Sequence, residues 1–156
     1  TTGLVGSEMC IRDRFNSLGS LQDLELLDAY AGSGAIGVEA LSRGAAWVTF
    51  IERSKDVFPT LKENTELLDE NHYETRKQSI ENWLNEPSKT NFDLVVVDPP
   101  YDEVKPDVLI KLGQLLKKDG LLVLSLPKIY DHLQIAGLEH LETRDYAQAS
   151  LRYYKR

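Results

Sequence analysis

From Phe15 onward, short apolar runs alternate with longer stretches in which apolar residues recur every three or four positions. The first pattern is that of buried strands and the second that of helix faces. Leu24–Ala29 (LELLDA) is therefore expected to form a strand that runs into a glycine-rich turn. A helix over Ala35–Arg43 follows, with Ile36, Ala40 and Leu41 at helical spacing and Gly44 as its stop. Trp47–Ile51 (WVTFI) is β-branched and aromatic, hence a second strand. Ser54 to Leu68 predicts a helix capped by Ser54, with Val57, Leu61, Leu67 and Leu68 on its apolar face. Tyr73–Gln78 reads as a third strand, and Ile80–Leu84 as a short helix ended by Pro87.

Phe92–Val97 (FDLVVV) is apolar at nearly every position, the pattern of a central strand covered on both faces. Pro106–Lys117 predicts a helix with Pro106 in its first turn and Val108, Leu109, Leu112, Leu115 and Leu116 on one side. Asp119-Gly120 is expected to turn the chain into a fifth strand, Leu121–Leu126. Leu138–Arg144 and Ser150–Tyr154 then read as two strands with no helix between them, which makes the last one antiparallel. Strand-helix alternation predicts one doubly wound, Rossmann-like α/β domain over residues 15–156. It has a mostly parallel sheet of about seven strands with helices on both faces. Residues 1–14 show neither period and are expected to be disordered, truncated or non-native.

Composition adds limits. The 156 residues are 42% hydrophobic and 28% charged, ordinary values for a globular domain. No apolar run approaches the roughly 18 residues that span a bilayer. No secretory pattern opens the chain. A single cysteine, Cys10, excludes an internal disulfide framework and points to a reducing, cytoplasmic setting. His72, His132 and His140 stand apart from one another with no carboxylate or cysteine at metal spacing, so no metal is expected. Nothing calls for an oligomer, and a monomer is expected. The net charge of −7 argues against a nucleic-acid partner, since phosphate neutralisation supplies most non-specific affinity. The cations form only two modest clusters, Arg12 with Arg14, and Arg144, Arg152, Lys155 and Arg156.

Two turns carry candidate chemistry. Gly32-Ser33-Gly34-Ala35-Ile36-Gly37 fits G-x-G-x-x-G between a strand and a helix, where glycines let a ligand approach the backbone closely. Glu52, 20 residues after Gly32, ends the next strand, where a carboxylate can accept hydrogen bonds from ribose hydroxyls. Together they favour a bound nucleoside without saying which. Asp28 precedes the turn and suits the ammonium of a cationic, phosphate-free cofactor better than it suits a pyrophosphate. Asp98-Pro99-Pro100-Tyr101 is placed at the carboxyl end of Phe92–Val97, where ligands of open α/β sheets bind. The prolines fix φ and donate no hydrogen bond, leaving carbonyls free as acceptors. A carboxylate and a carbonyl held rigidly can each accept one hydrogen of an amine, and Tyr101 offers a face for a splayed-out base. Tyr146, Tyr153 and Tyr154 would also serve as stacking faces, but alternation in a terminal strand explains them equally well.

The sequence resembles the bacterial small-subunit ribosomal RNA guanine-N2 methyltransferases of the RsmD type. The stretches that carry the resemblance are FNSLG (15–19), LLDAYAGSGAIGVEALSRGA (26–45), FIE (50–52), Asn64, FDLVVVDPPY (92–101) and YAQASLRYY (146–154). What the resemblance implies is a class I methyltransferase that binds S-adenosylmethionine at Asp28, Gly32, Ser33, Gly34, Gly37 and Glu52. The adenine would lie beside Ser79 and Ile80. It implies a guanine of 16S ribosomal RNA, free or in a small-subunit assembly intermediate, held at Asp98, Pro99, Pro100 and Tyr101. The chain departs from the family pattern in an unfamiliar start in place of a basic one, in Ser79 where an acidic residue is usual, and near the end in Ala147 where glycine is common and a fifth strand that exits as LSLPK instead of toward an acidic residue. Adenine-N6 methylation, a nucleotide-binding oxidoreductase and an inactive RNA-associated assembly factor stand as alternatives.

Overall fold

The computed structural model describes residues 15, 18–87, 90–100, 105–127, 133–146 and 149–156. Among them one sheet of seven strands runs in the order β3-β2-β1-β4-β5-β7-β6. The strands are β1 (Glu25–Asp28), β2 (Trp47–Glu52), β3 (Tyr73–Lys77), β4 (Phe92–Val97), β5 (Leu116–Pro127), β6 (Glu139–Tyr146) and β7 (Ala149–Lys155). β1 to β5 pair parallel, and β7 runs antiparallel to both β5 and β6. The helices are α1 (Ala35–Ser42), α2 (Phe58–Thr65), α3 (Ile80–Asn85) and α4 (Pro106–Gln114).

The apolar run of β4 does what two-sided burial demands. Leu94 and Val96 join a core with Phe50, Ala40 of α1 and Leu61 of α2. Val95 and Val97 join the opposite core with Trp83 of α3 and Leu112 of α4. Helices thus cover both faces, as the alternation predicts. β4 lies between β1 and β5, so the sheet reverses its strand order at the β1/β4 boundary. Loops leaving neighbouring parallel strands at such a boundary diverge to opposite faces and open a crevice at the carboxyl edge.

Three expected elements differ in extent. The helix predicted over Pro106–Lys117 ends at Gln114, because Leu115 caps it and its carbonyl accepts the Phe92 N–H at 2.8 Å. Leu116 already pairs with Phe92 in the sheet, so the fifth strand begins before the predicted Leu121. Asp119-Gly120 is an irregularity within that strand, with Asp119 at φ 66° and the register shifting between Phe92 and Leu94. A Cβ on Gly120 would stand 2.9 Å from the Lys117 carbonyl, which restricts the position to glycine. The helix predicted from Ser54 begins at Phe58; the Ser54 hydroxyl accepts the Val57 N–H at 3.2 Å and so caps the turn before it. Of its predicted apolar face Leu61 is fully buried, whereas Val57 is exposed and Leu67 is 97% exposed. Trp83 is buried, but Trp47 is only half-buried and donates to the Thr49 hydroxyl at 2.9 Å. Among the described residues no helix is long and apolar enough to cross a membrane.

Candidate active site

The glycine turn after β1 is built from its neighbours. Gly34 caps α1 in the left-handed region at φ 85°, and a Cβ there would stand 2.5 Å from Leu61 Cδ1. Gly37 packs directly on the Phe50 ring, leaving no space for a side chain. Gly32 differs: among the described residues a Cβ there would meet nothing within 4 Å. The turn is held from two sides. Glu52 Oε1 accepts the Gly32 N–H at 2.8 Å, while its Oε2 accepts the Ser54 N–H at 2.8 Å. Asn64 Nδ2 of α2 donates to the Ser33 carbonyl at 2.8 Å.

Asp28 ends β1 beside Val96 of β4 and is 1% exposed. Its Oδ2 is buried and has no hydrogen-bond partner among the described residues. Burial, then the Asp98 charge, push the carboxyl up to about 7; the Gly37 N–H pulls it down and Glu52 adds a smaller upward push. A buried carboxylate oxygen with nothing to accept is costly in the fold alone. It suits an ammonium or sulfonium brought by a ligand.

Asp98 follows Val97 at the carboxyl end of β4 and is half-buried, Pro99 is buried and Pro100 exposed. Burial pushes Asp98 up to about 6, and a hydrogen bond from the Ser125 side chain pulls the other way. Strand alternation puts Asp28 on the face of Leu26, Asp98 on that of Leu94 and Val96, and Ser125 on that of Val123, all one face. Asp28 and Asp98 therefore stand together at the crevice, with Glu52 behind the glycine turn.

Ser79 and Ile80 begin α3 beyond β3. The Ser79 hydroxyl accepts the Asn82 N–H at 3.1 Å, and Ile80 is 3% exposed within the α3/α4 core. Tyr101, His132, Arg12 and Arg14, and the side chain of Tyr146, lie outside the described residues. Tyr153 and Tyr154 are buried in the two cores, so alternation accounts for them. The carboxyl-terminal cations are engaged internally. Arg144 pairs with Glu142 at 3.5 Å and Lys155 with Asp119 at 3.3 Å; Arg156 donates to the Gln114 carbonyl at 2.7 Å, and Arg152 is buried. No cluster able to hold a metal occurs among the described residues.

Ser125 and the clasp of Asn64 on Ser33 are absent from a motif-based reading. The signal for Ser125 is a lone polar residue inside the apolar strand LLVLSLP.

Comparisons with known proteins bear on the fold and the family. Ribosomal RNA small subunit methyltransferase D of Buchnera aphidicola is 32% identical over 111 residues, 69% of this chain and 58% of that protein. The protein of the same name from Haemophilus influenzae is 44% identical over 80 residues, 49% of this chain and 42% of its own length. The chain thus spans about half the length of these curated relatives. A solved Escherichia coli structure, provisionally titled methyltransferase yhhF, matches with a TM-score of 0.85 at 27% identity, covering 94% of this chain and 84% of that one. The fold is that of the class I methyltransferases. The family model described as conserved hypothetical protein 95 matches residues 10–155, and the chain belongs to that family, the RsmD family its sequence resembles.

Proposed function

We propose that this protein transfers a methyl group from S-adenosylmethionine to the exocyclic N2 amine of a guanine in 16S ribosomal RNA, free or in a small-subunit assembly intermediate. It works in this reading as a cytoplasmic monomer without a metal. The observation that carries the proposal is the unpartnered, buried Asp28 Oδ2 at a crevice shared with Asp98. A crevice lined by carboxylates favours a cationic nucleoside and disfavours the pyrophosphate of a dinucleotide. The residues fit that cofactor: Asp28 for its ammonium, Glu52 for the ribose hydroxyls, and Gly32, Ser33, Gly34 and Gly37 for close backbone approach. Ser79 and Ile80 would flank the adenine. The bound cofactor would supply an already activated methyl group.

Asp98 and the carbonyl of Pro99 or Pro100 would accept the two amine hydrogens, orienting the nitrogen lone pair toward the methyl carbon. Tyr101 would stack on the base. Most of the rate would come from this positioning, with the Asp98 charge stabilising the amine as positive charge develops on it. The test is transfer of radiolabel from S-adenosylmethionine to undermethylated small subunits or naked 16S RNA, with the modified base identified. Asp98→Ala is expected to abolish transfer while leaving cofactor binding largely intact. Loss of binding in that variant would overturn the role given to Asp98, and no transfer by cofactor-binding wild type would overturn the activity.

A further inference from the structure

We propose that Ser125 is a positioning residue, whose hydroxyl on the neighbouring strand fixes the Asp98 carboxylate and keeps it ionised for the acceptor amine. The inference rests on the role of Asp98 proposed above. β4 and β5 pair parallel with Val97 opposite Leu124, so the next residue of each strand, Asp98 and Ser125, also fall side by side. Alternation sends both to the α1/α2 face. Ser125 is 7% exposed and interrupts a strand whose neighbouring residues Val123, Leu124 and Leu126 are all buried and apolar. A hydroxyl in such a place needs a partner, and the Asp98 carboxylate takes it as a donor.

The bond fixes which carboxylate lone pairs remain for a ligand and favours the charged form of the acid. Other titratable groups near this face are Asp28 at the end of β1, Glu52 at the end of β2 and Tyr153 of β7, level with Val123. The charges on Asp28 and Asp98 oppose each other, so among these residues Ser125 is the group that supports the ionised Asp98. Arg152 does not contribute from this face, since its pairing with Leu124 turns it to the other side of the sheet.

An isosteric pair separates the hydroxyl from packing. Ser125→Thr keeps the donor and Ser125→Val removes it at nearly the same shape, both β-branched and suited to a strand. The readout is transfer to 16S RNA against pH, with S-adenosylmethionine affinity measured alongside. Wild type and Ser125→Thr are expected to share an acid limb with a midpoint near Asp98's value of about 6. In Ser125→Val that midpoint is expected to rise by about one pH unit, an approximately tenfold loss of transfer on the acid limb, with transfer above pH 8.5 within about twofold and cofactor affinity unchanged. Coincident profiles for the two variants would overturn the role of Ser125, as would an equal loss in both. If Asp98→Ala itself retains transfer, the underlying reading fails instead, whatever the two Ser125 variants do.

Discussion

The two walls of the crevice are built differently. On the β1/β2 side, the hydrogen bonds that hold the glycine turn each have a main-chain group at one end. Glu52 is clasped by the Gly32 and Ser54 N–H groups, Ser33 is held by Asn64, and Gly34 and Gly37 are seated on Leu61 and Phe50. On the β4/β5 side, two prolines stiffen the turn but give no donors, and the Asp98 carboxylate takes its support from a side chain on another strand. The first wall is preorganised by main-chain geometry, which most substitutions leave in place. The second hangs on a single hydroxyl. Binding and reaction should therefore fail separately when the walls are altered one at a time.

The largest effect is expected from Asp28→Asn. The acid sits at about 7 in the folded protein against 3.8 when free. An acid raised by folding costs nothing below its free value, costs progressively more as pH rises toward 7, and costs its full amount above that. A gap of about three pH units corresponds to about 4 kcal/mol. Urea unfolding should find Asp28→Asn and wild type alike near pH 4, and the variant more stable by about 3–4 kcal/mol at pH 8. The same variant should bind S-adenosylmethionine weakly. Equal stability at pH 8 would show that Asp28 is not the strained member of the wall.

Gly34→Ala comes next. It places a methyl 2.5 Å from Leu61 Cδ1 at φ 85°, so a loss of about 3 kcal/mol is expected in the same assay. Glu52→Ala should lower S-adenosylmethionine affinity about thirtyfold by calorimetry, at the level of a charge-assisted hydrogen bond, while any residual transfer keeps the wild-type pH midpoint. A moved midpoint would break the separation of the walls. The smallest effect is expected for Asn64→Ala, about 1 kcal/mol of stability, from one lost bond to the Ser33 carbonyl.

How much of this was legible beforehand follows the same divide. The glycine turn, Glu52 and the strand before Asp98 are local patterns, and the structure places them on the neighbouring strands β1, β2 and β4. Asp28 was legible as an acid before a turn, but its orphaned oxygen was not, because burial is set by the strands on either side. Ser125 reaches Asp98 only through β4/β5 register, which no window of the sequence contains. The error at Pro106–Lys117 has a similar origin. Leu115 and Leu116 extend the helical apolar period, yet the sheet claims Leu116 because it completes a pair with Phe92.

The place of β7 bears on how the protein is made. It follows the other six described strands in sequence, yet it lies between β5 and β6 and sends Leu151 and Tyr153 to one core and Tyr154 to the other. Until it emerges from the ribosome, β6 has no partner in the sheet and the outer edge of β5 stands open from Leu121 to Pro127. A nascent chain in that state presents the kind of unpaired apolar edge that recruits other strands. Holding the half-made sheet soluble then falls to chaperones or to rapid completion of the last seven-residue strand.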